Sequence, residues 1–235
     1  MNEHQEFEAS WWGDCANTYG EETKQLTYAH RMGLQVVPAE GHWPVYDMAG
    51  RSVLDIGGGP ASMLLKCRDL GPAMVLDPCP YPDWVSRRYS SHDIMDLRAT
   101  AESQGGRILP PLRAPGDTRP NSPFWDEVWI YNVLQHVEDP EKVIQLAVAS
   151  ANSIRIFEWL NTPPTLGHPH TLYANQLVSW ITGLPPGSRE LSPGRWGWAW
   201  AGDKQALIAP DGHVAGHIET MHENGCDGLA FYGVF

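Results

Sequence analysis

Predominantly apolar runs in the middle of the chain predict buried β-strands. The runs that lead into polar or glycine-rich segments cover residues 52–56, 73–77, 127–134 and 153–157, with a short further strand over 89–94. Amphipathic runs between them predict helices over residues 21–32, 61–70 and 173–181. Asp139-Pro140-Glu141 indicates another helix start, because Asp caps a helix and Pro and Glu suit its first turn. Strands alternating with helices predict an α/β doubly wound sheet.

The C-terminal part of the chain is patterned as β-structure. Strands are predicted over residues 195–201, 206–219 with a turn at Pro210-Asp211-Gly212, and 228–235. This strand-rich end predicts an antiparallel edge on an otherwise mostly parallel sheet. Period two places Trp196, Trp198 and Trp200 on one strand face. Such a face packs under a helix, lines a sugar or aromatic-acceptor site, or forms the subunit interface of a homodimer.

The length of 235 residues fits a single domain with additions. We divide it into an N-terminal helical cap at 1–50, a core at 51–160 and a C-terminal β region at 161–235. Residues 98–123 show no helical or strand periodicity, which predicts a long loop inserted in the core. This loop carries four arginines and two acids, so it is either a lid that meets an anionic acceptor or a solvated loop.

Composition and charge exclude several classes of protein. The chain is 42% hydrophobic and 19% charged, as expected of a globular domain. A net charge of −12 repels phosphate backbones and argues against a nucleic-acid partner. Four scattered cysteines predict neither a disulfide framework nor a metal cage, so we expect no metal. With no signal peptide and no apolar run of membrane-spanning length, we expect a cytoplasmic protein without a membrane partner.

The segment Val53-Leu-Asp-Ile-Gly-Gly-Gly-Pro60 predicts a nucleotide-binding turn between a buried strand and a helix. Glycines there let backbone N–H groups approach a ligand closely. Asp77 ends the next strand, about 20 residues further on, where an acid accepts hydrogen bonds from ribose hydroxyls. Ser62 stands where a dinucleotide-binding turn has its third glycine, which weakens the case for an NAD(P)-dependent oxidoreductase.

These segments, together with Tyr131-Asn-Val-Leu-Gln-His-Val-Glu-Asp-Pro-Glu141, resemble the class I S-adenosylmethionine-dependent methyltransferases in sequence, order and spacing. The resemblance covers about residues 50 to 160. It implies a Rossmann-like, seven-stranded sheet whose last strand is antiparallel, and S-adenosylmethionine as the cofactor.

The resemblance also implies a set of cofactor-binding residues. Asp55 and the backbone of Gly57, Gly58 and Gly59 would hold the methionine end, and Asp77 would accept from the ribose. Asp93 and Ile94 would flank the adenine, with Pro78 stiffening the neighbouring loop. The sulfonium side would be lined by Asn132, Val133 and Leu134.

Candidate residues for the methyl acceptor follow the fourth and fifth predicted strands. His136 is the first candidate for a general base or acceptor contact; the alternative is packing on the following helix. His168 and His170 lie in a Gly-His-Pro-His segment that could reach the acceptor or lie in solvent. Glu158 is a second base candidate, with a solvated strand-end acid as the alternative.

The sequence therefore predicts an S-adenosylmethionine-dependent methyltransferase with a small-molecule or glycan-type acceptor, methylated at oxygen. Two alternatives stay open. One is a catalytically inactive, cofactor-binding partner subunit of the same fold, and the other is the NAD(P)-dependent oxidoreductase.

Overall fold

A computed structural model describes residues 3–37, 45–110, 124–183, 197–201, 204–208, 214–223 and 225–234. Its α-helices are α1 Glu3–Gly13, α2 Cys15–Arg31, α3 Asp83–Ser90, α4 Pro140–Ser150 and α5 Ala174–Thr182. Its strands are β1 Val36–Val37, β2 Val45–Asp47, β3 Val53–Ile56, β4 Cys67–Arg68, β5 Ala73–Leu76, β6 Ile94–Leu97, β7 Trp125–Tyr131, β8 Ala151–Leu160, β9 Gly197–Ala201, β10 Lys204–Ile208, β11 Val214–Glu223 and β12 Cys226–Val234. None of the described helices is long and apolar enough to span a membrane.

The main sheet has nine strands in the order β6–β5–β3–β7–β8–β12–β11–β10–β9. The first five run parallel, and β12 lies antiparallel to both β8 and β11. The predicted seven-stranded sheet with one antiparallel strand is confirmed in the strands from β6 to β11. The total of seven is too low, because β10 and β9 pair antiparallel beyond β11 and extend that edge. A separate small sheet joins β1, β2 and β4.

Both faces of the main sheet are buried under helices, as a doubly wound fold requires. One apolar cluster joins Leu54, Ile130 and Ile156 to residues of α4 and α5. The other joins Val53 and Trp129 to residues of α2 and α3. Successive residues of β3 and β7 alternate between the two clusters, because side chains along a strand point to opposite faces.

The predicted helix over residues 61–70 is wrong. Between β3 and β5, where residues 57–72 are all described, the chain forms a four-residue 3₁₀ helix, Met63–Lys66, followed by β4. Ser62 caps this turn by accepting a hydrogen bond from the Leu64 N–H at 3.1 Å. Met63 and Leu64 are buried, and β4 then pairs with β2. The apolar residues of this amphipathic run are therefore buried by a 3₁₀ turn and a short strand instead of by one face of an α-helix.

The third predicted strand is displaced. Tyr89 lies in α3, and the strand itself, β6, begins at Ile94. Asp93 occupies the turn between them with a φ of 56°. Tyr89 has strand propensity, but it is fully buried under the glycine turn as part of a helix face, which a local pattern does not reveal.

The N-terminal cap predicted over residues 1–50 is helical in α1 and α2, and the strands β1 and β2 follow within the same range. α2 begins at Cys15, earlier than expected, and Gly33 follows its end with a φ of 80°. Tyr28 of α2 stacks on Phe157 of β8, with ring centroids 4.7 Å apart. α1 has no buried residue along its length. α1 lies over the carboxyl ends of the strands, where three of its residues line the cleft described below.

The remaining elements follow the predicted order with shifted bounds. Residues 206–219 form parts of two strands, β10 and β11, and the predicted turn at 210–212 lies outside the described residues. β9 contains Trp198 and Trp200, but their side chains and the whole of Trp196 lie outside the description. In the predicted loop, Ile108 is buried and its carbonyl accepts a hydrogen bond from the Trp125 indole at 3.0 Å. Residues 111–123 are outside the described ranges, so the lid remains a prediction.

Candidate active site

The glycine turn after β3 needs glycine at two positions for steric reasons. Gly57 has a φ of 70°, and a Cβ there would lie 2.4 Å from Val133 Cγ1. A Cβ on Gly58 would lie 2.4 Å from the Asp55 carboxylate. The turn therefore packs directly on the end of β7 and on its own acid, and its backbone faces the space beyond the sheet edge.

Asp55 supports this turn from beneath. Its Oδ2 accepts hydrogen bonds from Ser62 Oγ at 2.5 Å and from Tyr131 OH at 2.9 Å. Burial raises the pKa of Asp55 to about 7, although both hydroxyls act in the opposite direction. The side chain is fully buried and does not reach the cleft described below. Asp55 therefore lies beneath the turn, whereas the glycines that it supports line the cleft.

Two buried tyrosines complete the support. Tyr131 OH also accepts a hydrogen bond from the Met63 N–H at 2.9 Å. Tyr89 OH donates to the Gly59 carbonyl and accepts from the Ser62 N–H at 3.2 Å. Phenol groups from α3 and β7 thus satisfy backbone groups of the 3₁₀ turn.

Asp77 lies at the end of β5, beside the glycine turn. Its carboxylate accepts from the Gly59 N–H at 3.0 Å and from the Cys79 N–H at 2.9 Å. Burial raises its pKa, whereas these bonds and the Arg98 guanidinium lower it. Each carboxylate oxygen has a second lone-pair direction, so Asp77 can still accept from a ligand.

A cleft opens along the carboxyl ends of β5, β3 and β7 and holds about 870 Å³ including its solvent-filled mouth. Seven of the predicted cofactor-binding residues line it: Gly57, Gly58, Gly59, Asp77, Pro78, Asn132 and Val133. His136, the first acceptor candidate, lines it as well. The structure therefore brings the glycine turn, the ribose acid and the segment after β7 into one cavity.

Asp93, Ile94 and Leu134 do not line the cleft. Asp93 and Ile94 lie at the amino end of β6, and the cleft lies at the other end of that strand. The reason is that β6 begins at Ile94, five residues after the predicted start at Tyr89. Leu134 is fully buried in the core beneath the turn after β7. Residues 100–102, which follow the carboxyl end of β6, line the cleft instead.

Glu158 is buried rather than solvated, so the alternative of a strand-end acid in solvent is wrong. Its Oε1 accepts from the backbone N–H groups of Val133 at 2.8 Å and Leu134 at 2.9 Å. Burial raises its pKa to about 7, although those bonds lower it. Glu158 does not line the cleft. Through these two hydrogen bonds, Glu158 holds the turn that carries Asn132 and His136.

His136 meets residues from two distant parts of the chain. Its Nδ1 lies 3.4 Å from Oε1 of Glu8 on α1. Its ring packs edge-on against His168, with ring centroids 4.3 Å apart. Burial lowers the pKa of His136, but the Glu8 carboxylate outweighs it and the net shift is upward. His170 is separate from this group, with its Nε2 within 2.8 Å of the Val137 carbonyl.

Several residues that line the cleft were not among the predicted site residues. They come from the N-terminal helices and from the segments after β5 and β6: Gln5, Glu8, Trp12, Gln25, Cys79, Tyr81, Thr100, Ala101 and Glu102. Nothing local in α1 marks Glu8 as a site residue, because its role depends on where the helix lies. The Trp11-Trp12 pair offers a weak signal, and of the two only Trp12 lines the cleft.

Comparisons with known proteins identify the fold. No protein-family model matches the chain. No curated protein matches it either. Among solved structures, it is similar to a chain from the complex of the Haloferax volcanii Trm112 methyltransferase activator with a protein assigned as a methyltransferase. That match has 13% identity and a TM-score of 0.55, and covers 100% of this chain and 98% of the other.

A second similar structure is the N-methyltransferase NodS from Bradyrhizobium japonicum WM9 in complex with S-adenosyl-L-homocysteine. It has 10% identity and a TM-score of 0.51, with 99% of this chain and 98% of the other covered. At these identities the likeness concerns the fold alone.

Proposed function

We propose that this chain, which has the fold of the class I S-adenosylmethionine-dependent methyltransferases, uses S-adenosylmethionine to methylate a small-molecule or sugar-like acceptor at oxygen. The observation that carries the proposal is the single cleft in which the backbone of Gly57–Gly59 faces the Asp77 carboxylate. Ligands of open α/β sheets bind at this edge, beyond the carboxyl ends of the strands.

The residues present fit the proposed cofactor. Because they lack a Cβ, Gly57 and Gly58 pack tightly against Val133 and Asp55, and the backbone of the turn lines the cleft. Asp77 keeps acceptor capacity for ribose hydroxyls. Tyr81, Thr100 and Ala101 would surround the adenine, and Asn132 and Val133 would flank the sulfur. When bound, S-adenosylmethionine supplies a methyl group activated by the sulfonium.

The protein's contribution to methyl transfer is mainly alignment and exclusion of water. α1 covers the cleft and contributes Gln5, Glu8 and Trp12 to its walls. An oxygen acceptor must also lose its proton, and His136 is the titratable imidazole on the wall. We therefore place the acceptor between Asn132 and His136.

The charge of the cleft supports a small, non-phosphorylated acceptor. Its walls carry the carboxylates of Glu8, Asp77, Glu102 and Glu138. Together with the net charge of −12, these groups disfavour the phosphate backbone of a nucleic acid.

Calorimetry with S-adenosylhomocysteine and, separately, with NAD tests the cofactor. We expect micromolar binding of S-adenosylhomocysteine and none of NAD; the reverse would identify an oxidoreductase. Incubation with methyl-labelled S-adenosylmethionine and a panel of alcohols, phenols and sugars then tests transfer. Tight cofactor binding without transfer to any acceptor would favour the inactive partner subunit.

A further inference from the structure

Three side chains from separate parts of the chain converge beside the cleft, and two of them, Glu8 and His136, line its wall. They are Glu8 from α1, His136 from the turn after β7, and His168 from the loop after β8, and one ligand atom from each lies within 4.8 Å of the others. Two imidazoles and one carboxylate form a donor set that binds zinc in catalytic sites with an open fourth position.

The distance between Glu8 and His136 is compatible with two ligands of one metal and is longer than a typical charge-assisted hydrogen bond. A charge-assisted N–H···O bond is about 2.7–2.9 Å long. The Nδ1–Oε1 distance here is 3.4 Å. Ligand atoms about 2.0–2.1 Å from a tetrahedral zinc lie about 3.3 Å from each other. Consistently, His136 Nδ1 is buried and has no hydrogen-bond partner within the part of the chain that the structure describes.

The surroundings hold these ligands in place. Glu8 Oε2 accepts a hydrogen bond from the Trp12 indole at 2.9 Å, which leaves Oε1 directed at His136. His168 is fixed by two backbone hydrogen bonds with Thr165, of 2.9 and 3.1 Å. Gly167 permits the approach of α1, because a Cβ there would lie 2.7 Å from Glu8 Oε1. Such supporting contacts are typical of metal sites.

We propose that Glu8, His136 and His168 bind one divalent cation of the zinc class, with its open position facing the cleft. This replaces the sequence-based expectation of no metal. Binding of the cation stands on this geometry alone, whereas its role rests on the proposed function. There the cation would hold the acceptor oxygen beside Asn132 and lower the pKa of the bound hydroxyl, so that its proton leaves to solvent water and His136 acts as a ligand instead of as the base. Nitrogen ligands disfavour Mg²⁺ and Ca²⁺, which prefer oxygen.

The test is zinc binding by the full-length, chelator-treated protein, measured by calorimetry and by metal analysis after dialysis. We expect one Zn²⁺ per chain and no measurable binding of Mg²⁺. His168→Asn and Glu8→Gln should each weaken zinc binding by at least the roughly 10- to 100-fold that loss of a supporting residue costs. His222→Asn is the matched control, because His222 is an exposed histidine paired with Asp227 at 2.8 Å, away from the cluster. It should bind zinc as the wild type does.

Cobalt substitution gives a second readout. Co²⁺ at this site should show the intense visible absorption of a four-coordinate ion, and His168→Asn should abolish it. Absence of stoichiometric zinc binding, or equal binding by the wild type and both ligand variants, would overturn the proposal. Titration of S-adenosylhomocysteine into the same zinc-free samples separates the two proposals. If the protein binds S-adenosylhomocysteine but not zinc, only the proposed metal site is refuted. If it binds zinc but not S-adenosylhomocysteine, only the proposed methyltransferase function is refuted.

Discussion

The carboxylate of Asp77 accepts a hydrogen bond from the backbone N–H of Gly59 at 3.0 Å. The proposed ribose acid and the proposed methionine-binding turn are thus joined directly, so a change at either should alter both. Asp77→Ala removes the ribose acceptor and also loosens the turn. Because hydrogen bonds to charged groups contribute about 1.5–3 kcal/mol each, we expect S-adenosylhomocysteine to bind about 100-fold more weakly. Calorimetry measures this, with the exposed Asp83→Ala as control. Unchanged affinity would refute the assignment of the cofactor site.

Gly57 is predicted to tolerate no side chain. Gly57→Ala must accommodate both a φ of 70° and a Cβ 2.4 Å from Val133 Cγ1. Gly105 provides the matched control, since it has a φ of 64° but nothing within 4 Å of its Cβ position. Gly105→Ala should cost only the strain of the left-handed backbone, about 1–2 kcal/mol. Gly57→Ala should cost about 1–3 kcal/mol more. Equal losses in urea unfolding would show that Val133 moves aside freely.

The buried Asp55 should make stability depend on pH. Burial raises its pKa to about 7, above that of an unfolded aspartate, so the folded state retains a proton that the unfolded chain releases. The free energy of unfolding should therefore fall as the pH rises from about 4 to 7 and level off above it. The Asp55→Asn variant has no ionisable group at this position, so its stability lacks this pH dependence. The loss in free energy of unfolding relative to wild type should therefore be about 2 kcal/mol smaller at pH 8.5 than at pH 5. Urea unfolding at the two pH values measures the difference; a constant cost would contradict it.

Glu127 should affect stability with the opposite pH dependence. Burial raises its pKa, but Arg155 outweighs this with bonds of 2.7 and 3.2 Å, and the net shift is downward. Ionised Glu127 therefore contributes its full stabilisation at pH values above the pKa of an unfolded glutamate. This stabilisation is lost as the pH falls through the pKa that Glu127 has in the folded protein. Glu127→Gln leaves the buried Arg155 without its counter-charge and should cost about 3–5 kcal/mol at pH 7. The cost should decrease toward pH 3. Glu141→Gln, on the exposed face of α4, serves as the control and should be nearly neutral.

Local signals in the sequence were sufficient for some elements. β7 contains the apolar run Val128–Tyr131. Asp139 caps α4 by accepting from the Lys142 N–H at 3.1 Å, as the Asp-Pro-Glu pattern predicts. The glycine turn and Asp77 were placed correctly because their chemistry depends on neighbours close in the sequence. These segments contain most of the proposed cofactor site.

Long-range packing decided the elements that were mispredicted. The run at 61–70 has helical periodicity, but Tyr89 and Tyr131 satisfy its backbone as a 3₁₀ turn. Because β6 is displaced, Asp93 lies away from the cleft, and residues 100–102 line it instead. Glu8 and His136 are separated by most of the core sequence, so no local pattern predicts that they meet.

The packing of α2 has a consequence for the order of folding. The guanidinium of Arg155 donates to the Met32 carbonyl at 2.7 Å across 123 positions of sequence, and Tyr28 stacks on Phe157. An N-terminal helix that completes its contacts only with β8 raises the contact order of the domain, which slows folding. During synthesis, this face of the sheet can close only after β8 has left the ribosome. Until then Tyr28 of α2 lacks its stacking partner Phe157, so nascent chains at that stage expose apolar surface that favours aggregation.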